Sequence, residues 1–298
     1  MANTPTFHSG IVAVVGRPNV GKSTLVNALV GSKVAIVSDK PQTTRRDIRA
    51  IWTTEDAQIV FTDTPGFHKP RTLMGARLND LVGDAVAGVD VVIQVVDASA
   101  GVGRGDAFVF AKQVADARAS VRICVVNKID RIDHFAVVPQ LAAAQALGEW
   151  DEIVPLSARS KADTDGLRAL LVDRMPEGSA LYPDGEVTDM PLEVQLAELI
   201  REQALSVTRQ EVPHSVAVVI EEMERGETLT SIHASIVVER DSQKGILIGK
   251  GGQTLKTIGT KGREAIEEVL GVKVYLDLHV KVMKEWQRDP KALDRLGF

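Results

Sequence analysis

The sequence predicts an α/β fold over residues 1–175, a mostly parallel sheet with helices on both faces, followed by an α+β unit over residues 191–298. Three observations carry this. Short β-branched runs alternate with stretches of helical periodicity as far as Arg174, the rhythm of strand–helix–strand crossovers. That rhythm breaks at residues 176–190, where Pro176, Gly178, Pro183 and Gly185 mark a linker. Beyond it, strands alternate apolar and polar side chains, leaving one face buried and one wet.

In the first part, strands are predicted over residues 11–15, 48–52, 59–62, 91–96, 121–126 and 153–156. Helical periodicity covers residues 24–30, 78–87, 106–119, 135–147 and 164–174. The second part opens with a helix for which Asp189 is the candidate cap, with Pro191 in its first turn and Leu192, Leu196, Leu199 and Ile200 on one face. Strands follow at 215–223 and 231–239. The glycine-rich residues 249–252 then open a helix carrying Ala265, Ile266, Val269 and Leu270. In the last strand, 272–282, Val272, Val274, Leu276, Leu278, Val280 and Val282 face one way and Lys273, Tyr275, Asp277, His279 and Lys281 the other.

Length and composition suit two soluble domains: 298 residues, 44% hydrophobic and 25% charged. The one cysteine, Cys124, lies in an apolar run and reads as core, so no intrachain disulfide is expected and a reducing cytoplasm fits. No secretion signal and no bilayer-length apolar run is visible. The net charge of −5 argues against bulk attraction to nucleic acid. Residues 230–298, however, hold 12 Lys and Arg against 9 Asp and Glu, a mildly basic end on an acidic body.

The string Gly16-Arg17-Pro18-Asn19-Val20-Gly21-Lys22-Ser23, followed by Thr24, sits between a buried strand and a helix. That is the setting of a phosphate-binding loop. Its glycines let successive amides point into one cavity at a helix N-terminus, where partial positive charge gathers. Lys22 can reach the β- and γ-phosphates and Ser23 can ligate Mg²⁺. Asp63-Thr64-Pro65-Gly66 ends a strand: Asp63 can hold Mg²⁺ through a water, and the Gly66 amide can meet a γ-phosphate. Asn127-Lys128-Ile129-Asp130 ends another. The Asp130 carboxylate can accept from guanine's ring N–H and exocyclic amine together, a pair of donors that adenine lacks. Ser157-Ala158-Arg159 ends a third, where a backbone amide can meet guanine O6. Each string is common alone; their shared order at strand ends on one edge implies GTP.

With these motifs the chain resembles the translation-associated GTPases of the P-loop class. The resemblance implies a switch segment with a Mg²⁺-binding threonine, which falls at residues 41–45; Thr44 is favoured and Thr43 is the alternative. It makes Lys22, Thr44, Gly66 and Asn19 the candidate catalytic set. Phe67 stands where small signalling GTPases carry a water-orienting glutamine, so slow intrinsic hydrolysis or a different activator is expected. In related GTPases an asparagine at the place of Asn19 helps to bind K⁺; the alternative is that Asn19 only shapes the loop.

Gly249-Lys250-Gly251-Gly252 matches the G-x-x-G loop of KH domains, which clamps the backbone of a single strand. Ile246, Leu247, Ile248, Leu255 and Ile258 would line the groove or pack beneath it, and Lys250 and Lys256 would meet phosphates. The order helix, strand, strand, helix, G-x-x-G, helix, strand is that of the prokaryotic, type II KH fold. A GTPase domain followed by a KH domain in a chain of this length resembles the Era family, from about Ile11 to Phe298. That resemblance implies small (30S) ribosomal subunit assembly, contact with the 3′ end of 16S rRNA, and a monomer using GTP, GDP and Mg²⁺. GTP would order residues 41–45 and 66–75, coupling nucleotide state to RNA affinity if either segment touches the KH domain.

Two rival readings differ in class. The first is the GTPase part of an RNA-modification system, whose relatives carry a C-terminal cysteine that this chain lacks. The second is a switch at the inner face of the cell membrane, through the tail 283–298 with Trp286, Leu293, Leu296 and Phe298 among basic residues.

Overall fold

A computed structural model describes residues 6–40, 43–66, 72–86, 88–119, 121–208 and 212–298. Two compact units divide the chain, with the main boundary between Asp189 and Met190; residues 38–40 and 72–74 group with the second unit.

The first unit is built on β1 (His8–Val15), α1 (Lys22–Val30), β2 (Ile48–Thr53), β3 (Ala57–Asp63), α2 (Leu73–Val86), β4 (Val91–Asp97), α3 (Arg104–Val109), β5 (Val121–Asn127), α4 (His134–Gln145), β6 (Glu152–Pro155) and α5 (Lys161–Val172). The sheet order is β2-β3-β1-β4-β5-β6. Only β2 runs antiparallel to its neighbour. Val12, Val14, Val92 and Val95 are fully buried, which explains why the central strands read as unbroken apolar runs. The order of strands reverses at β1, so a crevice opens beyond the carboxyl ends where ligands of such sheets sit. In-register pairing brings Val14 beside Asp63 and Asp97 beside Asn127, lining up the strand ends.

The helix expected over 106–119 is shorter and less regular. It is α-helical only through α3, and then widens into a π-turn over Phe110–Val114. Phe110 packs edge-on against Trp150, with ring centroids 4.9 Å apart. A π-turn inserts one residue, and apolar periodicity over so short a stretch does not reveal it.

The turn-rich residues 176–189 are bonded along the first unit. The Ile51 amide donates to Val187 O at 2.9 Å, and the Thr188 hydroxyl donates to Arg49 O at 2.7 Å. Gln58, wholly buried, accepts from the Leu181 and Tyr182 amides and donates to Tyr182 O. The bonds from Val187 and Thr188 cover part of the open edge of β2, which would otherwise offer unpaired backbone groups to another chain, while Gln58 anchors the same segment to β3.

The second unit comprises α6 (Leu192–Val207), β7 (Ala217–Arg225), β8 (Leu229–Val238), α7 (Asp241–Ile248), α8 (Gln253–Leu270), β9 (Lys273–Val282) and α9 (Pro290–Leu296). Its sheet is mixed, in the order β7-β8-β9, with β7 antiparallel and β9 parallel to β8. Leu196, Ile200, Ile232, Ile236, Leu247, Ile258 and Ile266 form its buried core.

Asp189 is not the cap of α6, whose first flanking residue is Pro191. Its carboxylate accepts instead from the Tyr182 hydroxyl at 2.8 Å and from Arg49 at 3.4 Å. The tail is equally committed. Trp286 is fully buried, donates its ring N–H to Ser215 O at 3.2 Å and stacks on Phe298, while Leu293 and Leu296 are buried beside it. Three of the four apolar tail residues that a membrane surface would need are therefore buried in the unit itself, and Phe298 is half-buried against Trp286. No helix among the described residues is long and apolar enough to cross a membrane.

Replacing Trp286 by alanine leaves a ring-sized void and is expected to destabilise the second unit by about 3–5 kcal/mol. Chemical denaturation followed by far-UV circular dichroism would measure this; a change under 1 kcal/mol, roughly the range of a surface substitution, would contradict the packing described.

Candidate active site and nucleic-acid interface

At the carboxyl edge of the first sheet the loop after β1 folds back on itself. Gly16 (φ 152°) and Gly21 (φ 104°) adopt backbone that side chains resist. A Cβ on Gly16 would lie 2.5 Å from Val95 O, and one on Gly21 would lie 2.4 Å from Asn127 Nδ2. Gly66 is as tightly placed, since a Cβ there would stand 2.9 Å from Pro18. Asn19 is left-handed (φ 64°) although it is not glycine. Lys22 is buried, and its ammonium donates to Gly16 O and Arg17 O at 3.2 Å each. Burial lowers its pKa to about 8, against the pull of the Asp63 carboxylate.

The three residues with Mg²⁺-ligand chemistry converge. Thr44 Oγ1 lies 2.9 Å from Ser23 Oγ and donates to Asp63 Oδ2 at 3.2 Å. Asp63 is wholly buried, and its Oδ1 has no hydrogen-bond partner in the structure. Burial pushes its carboxyl upward, while Lys22, Ser23 and Thr44 pull it down. An orphaned buried oxygen beside two hydroxyls suits a hard divalent cation, which would supply the missing charge. Thr64 faces away from this point and donates to Val14 O at 2.9 Å, bracing β3 against β1. Pro65 is buried next to it. Pro41, Gln42 and Phe67 lie outside the described residues.

Asn127 joins three of the motifs. Its Nδ2 donates to Val20 O at 2.9 Å, and its Oδ1 accepts from the Lys128 and Ala158 amides at 2.8 and 3.0 Å. Ser157 is anchored by its amide to Asp163 Oδ2 at 2.8 Å. Asp130 stands exposed in a single 3₁₀ turn over Ile129–Arg131, at the rim of the same edge. Thr24 lies in the first turn of α1.

Two acids went unnoticed in the sequence. Asp106, fully buried, pairs with Arg17 at 2.7 Å and so pins the phosphate loop to the segment after β4. Asp97, the last residue of β4, pairs with Lys128 at 2.5 Å. For Asp97 the signal is position, an acid closing a strand on the motif-bearing edge; Asp106, inside α3, carries no such mark in the sequence. Cys124 is fully buried in β5, and burial pushes its thiol up to about 12, which suits a core residue rather than a nucleophile.

In the second unit Gly249, Gly251 and Gly252 have φ of 72°, 59° and 78°. Gly251 and Gly252 are in the left-handed helical region, which costs other residues about 1–2 kcal/mol, and Gly249, with ψ 178°, is in a region that is essentially glycine-only. A Cβ on Gly249 would overlap Thr254 Oγ1 at 2.1 Å, while Gly251 and Gly252 face open space. Lys250 is exposed between them. Beside the loop runs a groove of about 350 Å³ with Leu255, Leu276 and Leu278 at its apolar side and Lys256 and Arg263 at its rim. Of the apolar residues assigned to this region, Leu247 and Ile258 are core, Ile248 packs partly against it, Ile246 is exposed and only Leu255 lines the groove. Alternation placed Leu276 and Leu278 on the inner face of β9, but it could not show that α8 leaves them partly uncovered.

A methyl group at position 21 would displace Asn127. Gly21→Ala is therefore expected to weaken guanine-nucleotide binding by about a hundredfold or more, the loss of two to three charge-assisted contacts. Calorimetric titration with GDP would register it, and affinity within threefold of wild type would refute the cradle geometry.

Comparison with known proteins agrees with both units. Residues 11–128 match the family model described as 50S ribosome-binding GTPase, and residues 211–287 match that of the KH domain. GTPase Era of Mycolicibacterium smegmatis is 54% identical over 296 residues, covering 98% of this chain and 99% of the relative. GTPase Era of Streptomyces coelicolor is 52% identical over 305 residues, covering 98% and 96%. Among solved structures, Era in complex with MgGDPNP and nucleotides 1506–1542 of 16S ribosomal RNA superposes with a TM-score of 0.94 at 38% identity, covering 98% of this chain and 99% of that one. A variant of Aquifex aeolicus Era bound to GDP and AlF4⁻ gives 0.93 at 38% identity, with the same coverage. With a relative 54% identical along nearly its whole length, the chain belongs to the Era family of GTPases.

Proposed function

We propose that this GTPase is a cytoplasmic, monomeric switch that grips the single-stranded 3′ end of 16S rRNA and assists assembly of the small ribosomal subunit. The observation that carries the reading is the presence, on one chain, of a loop shaped for phosphates and a glycine-lined groove beside exposed cations. A solved Era with the same two units holds MgGDPNP and a 16S rRNA fragment.

In this reading residues 16–23 wrap the phosphates, with Lys22 moving from the carbonyls of Gly16 and Arg17 to the β- and γ-oxygens. Ser23 and Thr44, with Asp63 through a water, hold Mg²⁺; Thr44 is assigned over Thr43 because its hydroxyl already lies between the other two. Mg²⁺ supplies charge neutralisation as the β–γ bond breaks. The Gly66 amide meets the γ-phosphate, and Asp130 and the Ala158 amide read guanine. Asn19 offers the place for K⁺ to offset transition-state charge. Gly249, Lys250, Gly251 and Gly252 clamp the RNA backbone, Ile248 packs beneath that loop, and Lys256 adds charge along the groove.

Three measurements test this. Asp130→Asn is expected to lose about a hundredfold in affinity for GDP while gaining xanthosine diphosphate, as expected when a charged hydrogen-bond partner is removed; unchanged preference would remove the guanine assignment. Gly251→Asp is expected to lower affinity for an oligonucleotide of 16S residues 1506–1542 at least tenfold, and full uptake would remove the clamp. GTP turnover is expected to be faster in K⁺ than in Na⁺, and equal rates would leave Asn19 without that role.

A further inference from the structure

We propose that Asp97 is a positioning residue for nucleotide binding: it holds the Lys128 ammonium against the carbonyl of Asn19 and so keeps the phosphate loop in shape. The inference rests on a guanine nucleotide occupying the loop of residues 16–23.

The parallel pairing of β4 and β5 sets Asp97 opposite Asn127, which brings its carboxylate beside the next residue, Lys128. Lys128 is left-handed (φ 64°), so its side chain turns back across the strand ends instead of running outward. The ammonium lies 2.5 Å from Asp97 Oδ2 and 2.6 Å from Asn19 O. The carboxylate is divided between two tasks. Its Oδ1 accepts from Ser99 N at 2.9 Å, Ser99 Oγ at 2.6 Å and Ala100 N at 3.2 Å, closing the turn after β4. Its Oδ2 is left for Lys128.

The pair is shielded, with side-chain exposures of 10% for Asp97 and 19% for Lys128. Removing one partner from such a pair leaves an uncompensated charge and costs far more than at an open surface. Burial alone would raise the Asp97 carboxyl, but hydrogen bonds from Lys128 and Ser99 outweigh it and hold it below the usual range. It is thus a carboxylate at neutral pH. At the other end of the strut, Asn19 adopts backbone that a non-glycine residue keeps only when its surroundings over-determine it. Lys128 is one such determinant, fixed in turn by Asp97. Without the carboxylate the ammonium is drawn to solvent and the loop at Asn19 relaxes.

A double-mutant cycle separates this role from simple closure of the turn, because Asp97→Asn keeps an acceptor for Ser99 and Ala100 while removing the charge. Wild type, Asp97→Asn, Lys128→Met and the double variant are loaded with a methylanthraniloyl derivative of GDP, and its release is followed by stopped-flow fluorescence. Asp97→Asn is expected to release nucleotide about tenfold faster, with no further acceleration when it is added to Lys128→Met. Equal acceleration in both backgrounds, or none in either, would overturn the proposal. Asp97→Glu keeps the charge and is expected to lie nearer wild type than Asp97→Asn; equal loss in both would also overturn it. Wild-type protein that takes up none of the probe would instead remove the reading on which the inference stands.

Discussion

One buried carboxamide holds the nucleotide edge together. Asn127 donates to the phosphate loop through Val20 O and accepts from Lys128 and Ala158, so loops that follow β1, β5 and β6 share a single side chain. Loops that leave parallel strands have no ladder to fix them. Each would otherwise lose conformational entropy when ligand arrives, at about 1–2 kcal/mol per residue ordered. A carboxamide suits the post because it presents donors and acceptors together without the desolvation penalty of a charge. The cradle glycines follow from the same demand: Gly21 has no room for a Cβ because Asn127 stands there.

Charge is handled around that centre by pairing at the strand ends. Arg17 reaches Asp106 and Lys128 reaches Asp97, while Lys22 is held by the carbonyls of Gly16 and Arg17 and feels the Asp63 carboxylate only through its charge. Asp63 differs from Asp97 and Asp106 in keeping one buried oxygen without a hydrogen-bond partner. Structural carboxylates fill their acceptor sites; one that does not, beside Ser23 and Thr44, has the electrostatics of a cation site.

The second unit works by a different constraint. Glycines with positive φ open the backbone at 249–252. A polyanion approaching there meets main chain and Lys250 with no Cβ in between, next to an apolar groove floored by Leu255, Leu276 and Leu278. Unpaired bases have apolar faces and charged backbones, and the two halves of this surface match them.

Much of this was legible in the chain itself. Strand runs from Ile11 to Pro155, the phosphate loop, D-T-P-G, N-K-I-D, S-A-R and the G-x-x-G turn are local patterns, because periodicity and turn chemistry act over a few residues. Local sequence determined which elements form and which motif closes each strand. What only the tertiary structure decided was long-range pairing. The approach of the Thr44 hydroxyl to Ser23 and Asp63, the bonding of Val187 and Thr188 to the edge of β2, the diversion of Asp189 to Tyr182 and Arg49, the burial of Trp286, and the contacts of Lys128 with Asp97 and Asn19 all join residues far apart in the chain. Sequence spacing holds no information about such contacts until sheet register and helix packing set the distances, and it is the register of β4 on β5 that brings Asp97 to Lys128.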